Sequence, residues 1–215
     1  AILGRALALL GADWLPCGSA GLAEEWVAAL SPAKPLADPA PGPDPRPVLV
    51  VSASRNDVTR TQVQRACEER GLPRIDLDAR GIYEQEREIV RLAEAVAGEL
   101  AAGSDAVLTS SLTPLIAGGG ELVAGALARV VARATAGGSL GGLVLTGGDM
   151  AVAACRALGV RALRIAAEVQ PGVPGGQLVG GALEGTWVVT KAGGFGDPRA
   201  IVDALDYLHG RPPSA

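Results

Sequence analysis

From Val48 onward, short runs of consecutive apolar residues alternate with longer segments in which apolar side chains recur every three or four positions. The first pattern predicts strands buried on both faces, and the second predicts amphipathic helices that cover them. Strands are predicted at Val48–Val51, Arg74–Leu77, Ala106–Thr109, Leu143–Leu145, Ala162–Ala166 and Thr186–Val189. Helices are predicted from Asn56 or Thr59 to Arg70, over Glu84–Ala102, Glu121–Ala136 and Met150–Leu158, and over Pro198–Leu208. Gly71 and Gly103 stand where a left-handed residue would end a helix, and Pro198 suits a first helical turn. Strand followed by helix, repeated, predicts an α/β fold: a largely parallel sheet with helices on both faces, three-layered and Rossmann-like. The glycine-rich stretch Pro171–Gly185 breaks the alternation, and a loop or hairpin there would put the last strand out of simple succession.

Upstream the pattern changes. Pro32, Pro35, Pro39, Pro41, Pro43, Pro45 and Pro47 fall within sixteen residues, a spacing that excludes helix and interior strand and predicts an extended linker. Three parts are therefore expected: residues 1–31 as a packing segment, 32–47 as the linker and 48–210 as the main domain. With 48% hydrophobic and 20% charged residues, the 215-residue chain has material for a sizeable core. A formal charge of −4, no Lys/Arg cluster and 3% aromatics argue against nucleic acid as a partner. Cys17, Cys67, Cys155 and the single His209 have no metal-ligand or triad spacing. Three widely separated cysteines do not read as a secreted disulfide framework, so a reducing cytoplasm is the expected compartment, and there is no run of eighteen uncharged apolar residues to suggest a membrane span. Met150 is the only methionine, which suggests a piece of a longer protein.

Candidate chemistry gathers where strands run into small polar residues and glycines. Ligands of open α/β sheets collect beyond the carboxyl ends of the strands. Three such exits stand out: Ser52-Ala53-Ser54, Thr146-Gly147-Gly148-Asp149 leading into Met150, and Lys191-Ala192-Gly193-Gly194-Phe195-Gly196. Paired glycines let bare backbone N–H groups approach an anion, and phosphate is the natural occupant. Asp149 either faces the ligand or caps the following helix. Lys191 is placed to meet phosphate oxygens, or else to end its strand in solvent. Phe195 could pack on a base or plug its loop into the core, and Thr59 is read as a helix cap. Neither the P-loop spacing nor G-x-G-x-x-G is present, which disfavours a nicotinamide enzyme.

These residues, together with Gly18-Ser19-Ala20-Gly21-Leu22, Thr59-Arg60-Thr61-Gln62 and Gly172-Val173-Pro174, resemble the four-carbon acid sugar kinases from about Ala1 to Leu208. In that family an N-terminal substrate-binding domain with an Asp-rich motif precedes a C-terminal nucleotide-binding domain, and this chain looks like the second domain plus the tail of the first. The resemblance implies ATP-dependent phosphorylation of a threonate, erythronate or 3-oxo-tetronate. It implies ATP held by Ser54, the Gly147–Met150 turn and the Gly193–Gly196 loop, with Mg2+ accompanying the nucleotide; a homodimer is a candidate assembly. Ala53 replaces a usual glycine and Met150 a usual threonine, departures that bear on nucleotide affinity. The alternative from another class is a nucleotide- or anion-binding module that does not catalyse.

Overall fold

The computed structural model describes residues 2–9, 14–30, 40–78, 85–110, 119–138 and 140–211. Pro32, Pro35 and Pro39 of the expected linker, and Glu84 at the expected start of a helix, lie outside them. The chain forms two compact units, residues 1–38 and 39–215. The first contains helices α1 (Ile2–Leu9) and α2 (Ala20–Leu30). They approach closely enough that a Cβ on Gly4 would stand 2.2 Å from the Glu25 carbonyl oxygen.

The second unit holds one seven-stranded sheet. Its strands are β1 (Val48–Ser52), β2 (Arg74–Asp76), β3 (Ala106–Thr109), β4 (Gly142–Thr146), β5 (Ala162–Gln170), β6 (Val173–Val179) and β7 (Trp187–Lys191), in the order β2-β3-β1-β4-β7-β6-β5. The run β2-β3-β1-β4-β7 is parallel, and β6 is antiparallel to both of its neighbours. The glycine-rich interruption is thus a hairpin. Its two strands occupy the sheet edge, and β7 returns to lie between them and β4.

Alternating side chains of the central strands serve two cores. Leu49, Val51, Leu108, Leu143 and Leu145 pack under α4 (Gln85–Ala101), α5 (Gly120–Ala134) and α6 (Gly148–Leu158). Val48, Val50, Val107, Val144 and Val189 pack under α3 (Asp57–Arg70) and α7 (Ala200–Leu208). Each such fully buried side chain contributes about 1.5–3 kcal/mol, which is why the strands read as unbroken apolar runs.

Several boundaries differ from the expected ones for local reasons. Asn56, not Thr59, caps α3, its side chain accepting from the Val58 N–H at 2.9 Å. Pro198 precedes α7 rather than opening it, because Asp197 accepts the Arg199 N–H at 2.7 Å and so makes a turn before Ala200. Residues 40–47 belong to the second unit. Pro47 accepts the Gly141 N–H at 2.8 Å, and His209 Nδ1 lies 3.0 Å from the Asp44 carbonyl.

Candidate functional site

Register alone assembles a polar row across the carboxyl ends of the central strands. Ser52 at the end of β1 pairs with Thr109 on β3 and Thr146 on β4, and Thr146 pairs with Lys191 on β7. Four adjacent parallel strands therefore end in Thr109, Ser52, Thr146 and Lys191. All four are buried, and Thr146 Oγ1 donates to Ser52 Oγ at 2.9 Å. From β1 the chain turns toward β2, whereas from β4 it leaves toward the opposite edge. The crevice between Ser52 and Thr146 is thus a topological switch point, the position where open α/β sheets bind ligands.

The three expected exits do share this rim. After β4, Gly147 takes φ 96°, a region open to glycine, and serves as the N-cap of α6 without any side-chain cap. Its own N–H donates to the Lys191 carbonyl at 2.8 Å, tying the β4 exit to the β7 exit. The first α6 amides consequently lack a capping side chain, an arrangement that favours an anion. Gly148 and Asp149 are exposed there. Asp149 lies in the first turn of α6, one residue inside its start, so it is not the cap residue. Met150 is fully buried in the core between α6 and its neighbours, so only its backbone belongs to the rim.

On the other side of the crevice, the β1 exit touches the β7 exit. A Cβ on Gly193 would stand 2.9 Å from Ser54 Oγ, while one on Gly194 would come no nearer than 3.8 Å to the Asn56 side chain. Gly196 has φ 76° and would place a Cβ 2.5 Å from that of Ala200. Phe195 is half exposed, its ring packed across Gly172 of the β5–β6 turn, where a Cβ would meet it at 2.3 Å. It therefore does not plug the loop into the core.

Lys191 behaves differently from the phosphate-facing cation that its position suggested. Its Nζ turns back under its own loop and donates to the carbonyls of Ala192 and Phe195 at 2.9 Å each, with the Gly193 carbonyl at 3.4 Å and Thr59 Oγ1 at 3.3 Å. Those four recorded partners are neutral oxygens. Burial pushes the ammonium from its ordinary 10.5 down to about 8, because the protonated form loses hydration without gaining a carboxylate. Thr59 donates to the Gly193 carbonyl at 2.6 Å. Gln62 Nε2 donates to the carbonyls of Phe195 and Gly196 at 3.1 Å and of Asp197 at 2.6 Å. The buried Gln62 Oε1 has no hydrogen-bond partner among the described residues, a cost of about 1–3 kcal/mol that the fold carries.

Gln62 was not singled out by sequence reasoning as a site residue. The signal was available: Thr59, Gln62, Val63 and Ala66 form the buried stripe of α3, and its first two members are polar. Gln170 was missed as well. Its Nε2 donates to Asp197 Oδ1 and its Oε1 accepts the Asp197 N–H, each at 2.9 Å, bracing the far end of the loop and holding the Asp197 carboxyl below its usual range.

At the amino ends of the strands a groove of about 900 Å³ opens among Gly71, Gly103, Asp105, His209 and Arg211. His209 Nε2 lies 2.9 Å from Asp105 Oδ2, and Arg70 is held by both oxygens of buried Asp206 at 2.6 Å. The groove therefore lies away from the polar row, which sits at the carboxyl ends.

The family model for a nucleotide-binding C-terminal domain matches residues 49–201. This chain belongs to the four-carbon acid sugar kinase family, as its C-terminal nucleotide-binding domain. Within that family it is 33% identical to the D-threonate kinase of Bordetella bronchiseptica over 97% of this chain and 50% of that protein. It is likewise 33% identical to the D-threonate kinase of Salmonella typhimurium, over 75% of this chain and 42% of that one. A D-erythronate kinase of Heliobacterium modesticaldum shares 41% identity over 33% of this chain and 16% of its own length. The chain thus spans about half the length of these D-threonate kinases. Among solved structures, a Bordetella bronchiseptica domain of unknown function, a domain-swapped dimer with bound citrate, superposes with TM-score 0.68 at 30% identity, over 99% of this chain and 51% of that one. A Haemophilus influenzae protein gives TM-score 0.73 at 21% identity over 96% and 50%, a likeness of fold. Among the described residues no helix is long and apolar enough to cross a membrane.

Proposed function

We propose that this domain binds ATP at the rim of Ser54, Gly147–Met150 and Gly193–Gly196, over the buried strand ends Ser52, Thr146 and Lys191, for a kinase that phosphorylates a four-carbon sugar acid of the threonate or erythronate type. The single observation that supports it most is the convergence of three glycine or hydroxyl exits on one switch point. The fit of the nucleotide rests on two features. The rim is cleared of Cβ atoms where Gly193 meets Ser54, and the α6 amides lack a side-chain cap. Gly148, Asp149 and Met150 would offer backbone N–H groups to phosphate oxygens, and Ser54 a hydroxyl beside Gly193. Mg2+ would supply charge neutralisation of the phosphates. Among the described residues no cluster of three His, Cys, Asp or Glu side chains could hold such an ion.

The sugar acid and the catalytic base are proposed to belong to the part of the longer relatives that this chain does not span. A reducing cytoplasm suits the three free cysteines. Isothermal titration of the 215-residue chain with MgATP, paired with a coupled ADP-release assay on D-threonate and D-erythronate, tests the reading. Weak MgATP binding without turnover is expected. No heat of binding at millimolar MgATP overturns the nucleotide site, and robust sugar-acid phosphorylation by this chain overturns the division of labour.

A further inference from the structure

An ammonium has three protons to donate, and Lys191 has four acceptors within 3.4 Å, all beneath the β7 exit. None is left for a phosphate. Taken with Thr59 and Gln62 of α3, the same buried group captures the carbonyls of Ala192, Gly193, Phe195, Gly196 and Asp197. A trans peptide points its N–H opposite to its C=O. Holding the carbonyls of Ala192, Gly193 and Phe195 underneath therefore turns the amides of Gly193, Gly194 and Gly196 outward. The Asp197 amide, next in line, is consumed by Gln170, and that of Phe195 closes a turn on the Ala192 carbonyl at 3.1 Å. The three outward amides all belong to glycines, which carry no side chain to shield them.

We propose that Lys191, Thr59 and Gln62 are positioning residues that act on the nucleotide through the loop, by fixing its carbonyls beneath it so that the Gly193, Gly194 and Gly196 amides meet a phosphate. This rests on the nucleotide reading above. The lysine charge still acts on the ligand, through the polarised peptide units rather than by contact, and an anion above the loop compensates a cation that has no carboxylate partner among the described residues. Thr59 and Gln62 lie on a helix with no glycine exit of its own, so a purely local account of the rim would leave both without a role.

The test uses the 215-residue chain, titrated with MgATP by calorimetry, with the amide resonances of Gly193, Gly194 and Gly196 followed by NMR. Thr59→Val keeps the shape of the side chain and removes the donor. It should weaken MgATP by about five- to tenfold, the worth of one hydrogen bond, and shrink the ligand-induced shifts of the three glycines. Thr59→Ser restores the hydroxyl and should recover both, which a loss of stability alone would not do. Gln62→Leu should behave as Thr59→Val does and serves if the valine variant fails to fold. Wild-type chain that binds no MgATP overturns the nucleotide reading together with this one. Wild-type chain that binds while both variants bind within twofold of it overturns this inference and leaves the nucleotide site standing.

Discussion

Removing the Lys191 ammonium isolates the energetics of a buried cation. In the folded chain Lys191 titrates at about 8 instead of 10.5, and burial is the cause. Below pH 8 both the folded and unfolded chains hold the proton, and the fold bears the whole cost of burying the charge. Between pH 8 and 10.5 the unfolded chain holds a proton that the folded chain has released, so unfolding becomes harder as pH rises. The slope reaches about 1.4 kcal/mol per pH unit and sums to roughly 3 kcal/mol. Lys191→Met abolishes this gain because nothing remains there to titrate. Cys67 and Cys155 titrate in the same region with the opposite sign, since burial pushes both thiols up and favours the folded state less as pH rises. Their effect is common to both proteins and cancels in the difference. Urea unfolding of wild type and Lys191→Met at intervals from pH 7 to 10.5 should show wild type gaining roughly 3 kcal/mol relative to the variant. A difference that stays flat across that range refutes the buried, carbonyl-bound ammonium.

Two further substitutions probe the rim. Gly196→Ala forces a side chain onto φ 76° and against the Ala200 Cβ, and should cost about 1–3 kcal/mol, lowering Tm by several degrees in calorimetry; an unchanged Tm would mean that the loop relaxes freely. Ser52→Ala removes the acceptor of the buried Thr146 hydroxyl and should cost about 1–3 kcal/mol in urea unfolding. Adding Thr146→Val should recover most of that loss, and a strictly additive pair would show that the two hydroxyls are not coupled.

Much of the fold was legible because burial on both faces leaves a plain trace. Val48–Val51 and Leu143–Leu145 could hardly be anything but interior strands, and Gly71 and Gly103 mark helix ends by their positive φ of 63° and 78°. The three glycine or hydroxyl exits were legible for a related reason: small residues directly after an apolar run have no packing role there and so stand out. Side-chain direction was not legible. Lys191 reads as a cation at a strand end, yet whether it points at a ligand or under its own loop depends on α3 offering Thr59 beside it. Met150 reads as part of a glycine turn, but the start of α6 at Gly148 rotates it inward.

The residue order settled which segments become strands and helices, where the turns fall and which strand exits end in glycines and hydroxyls, because periodicity and glycine conformation act within a few neighbouring residues. Strand order, the register that lines up Thr109, Ser52, Thr146 and Lys191, and the capture of the β7 loop by α3 were decided only in the folded sheet. Those features join residues up to 135 positions apart, as Gln62 and Asp197 are, and no local pattern records which distant partner will satisfy a carbonyl or an ammonium.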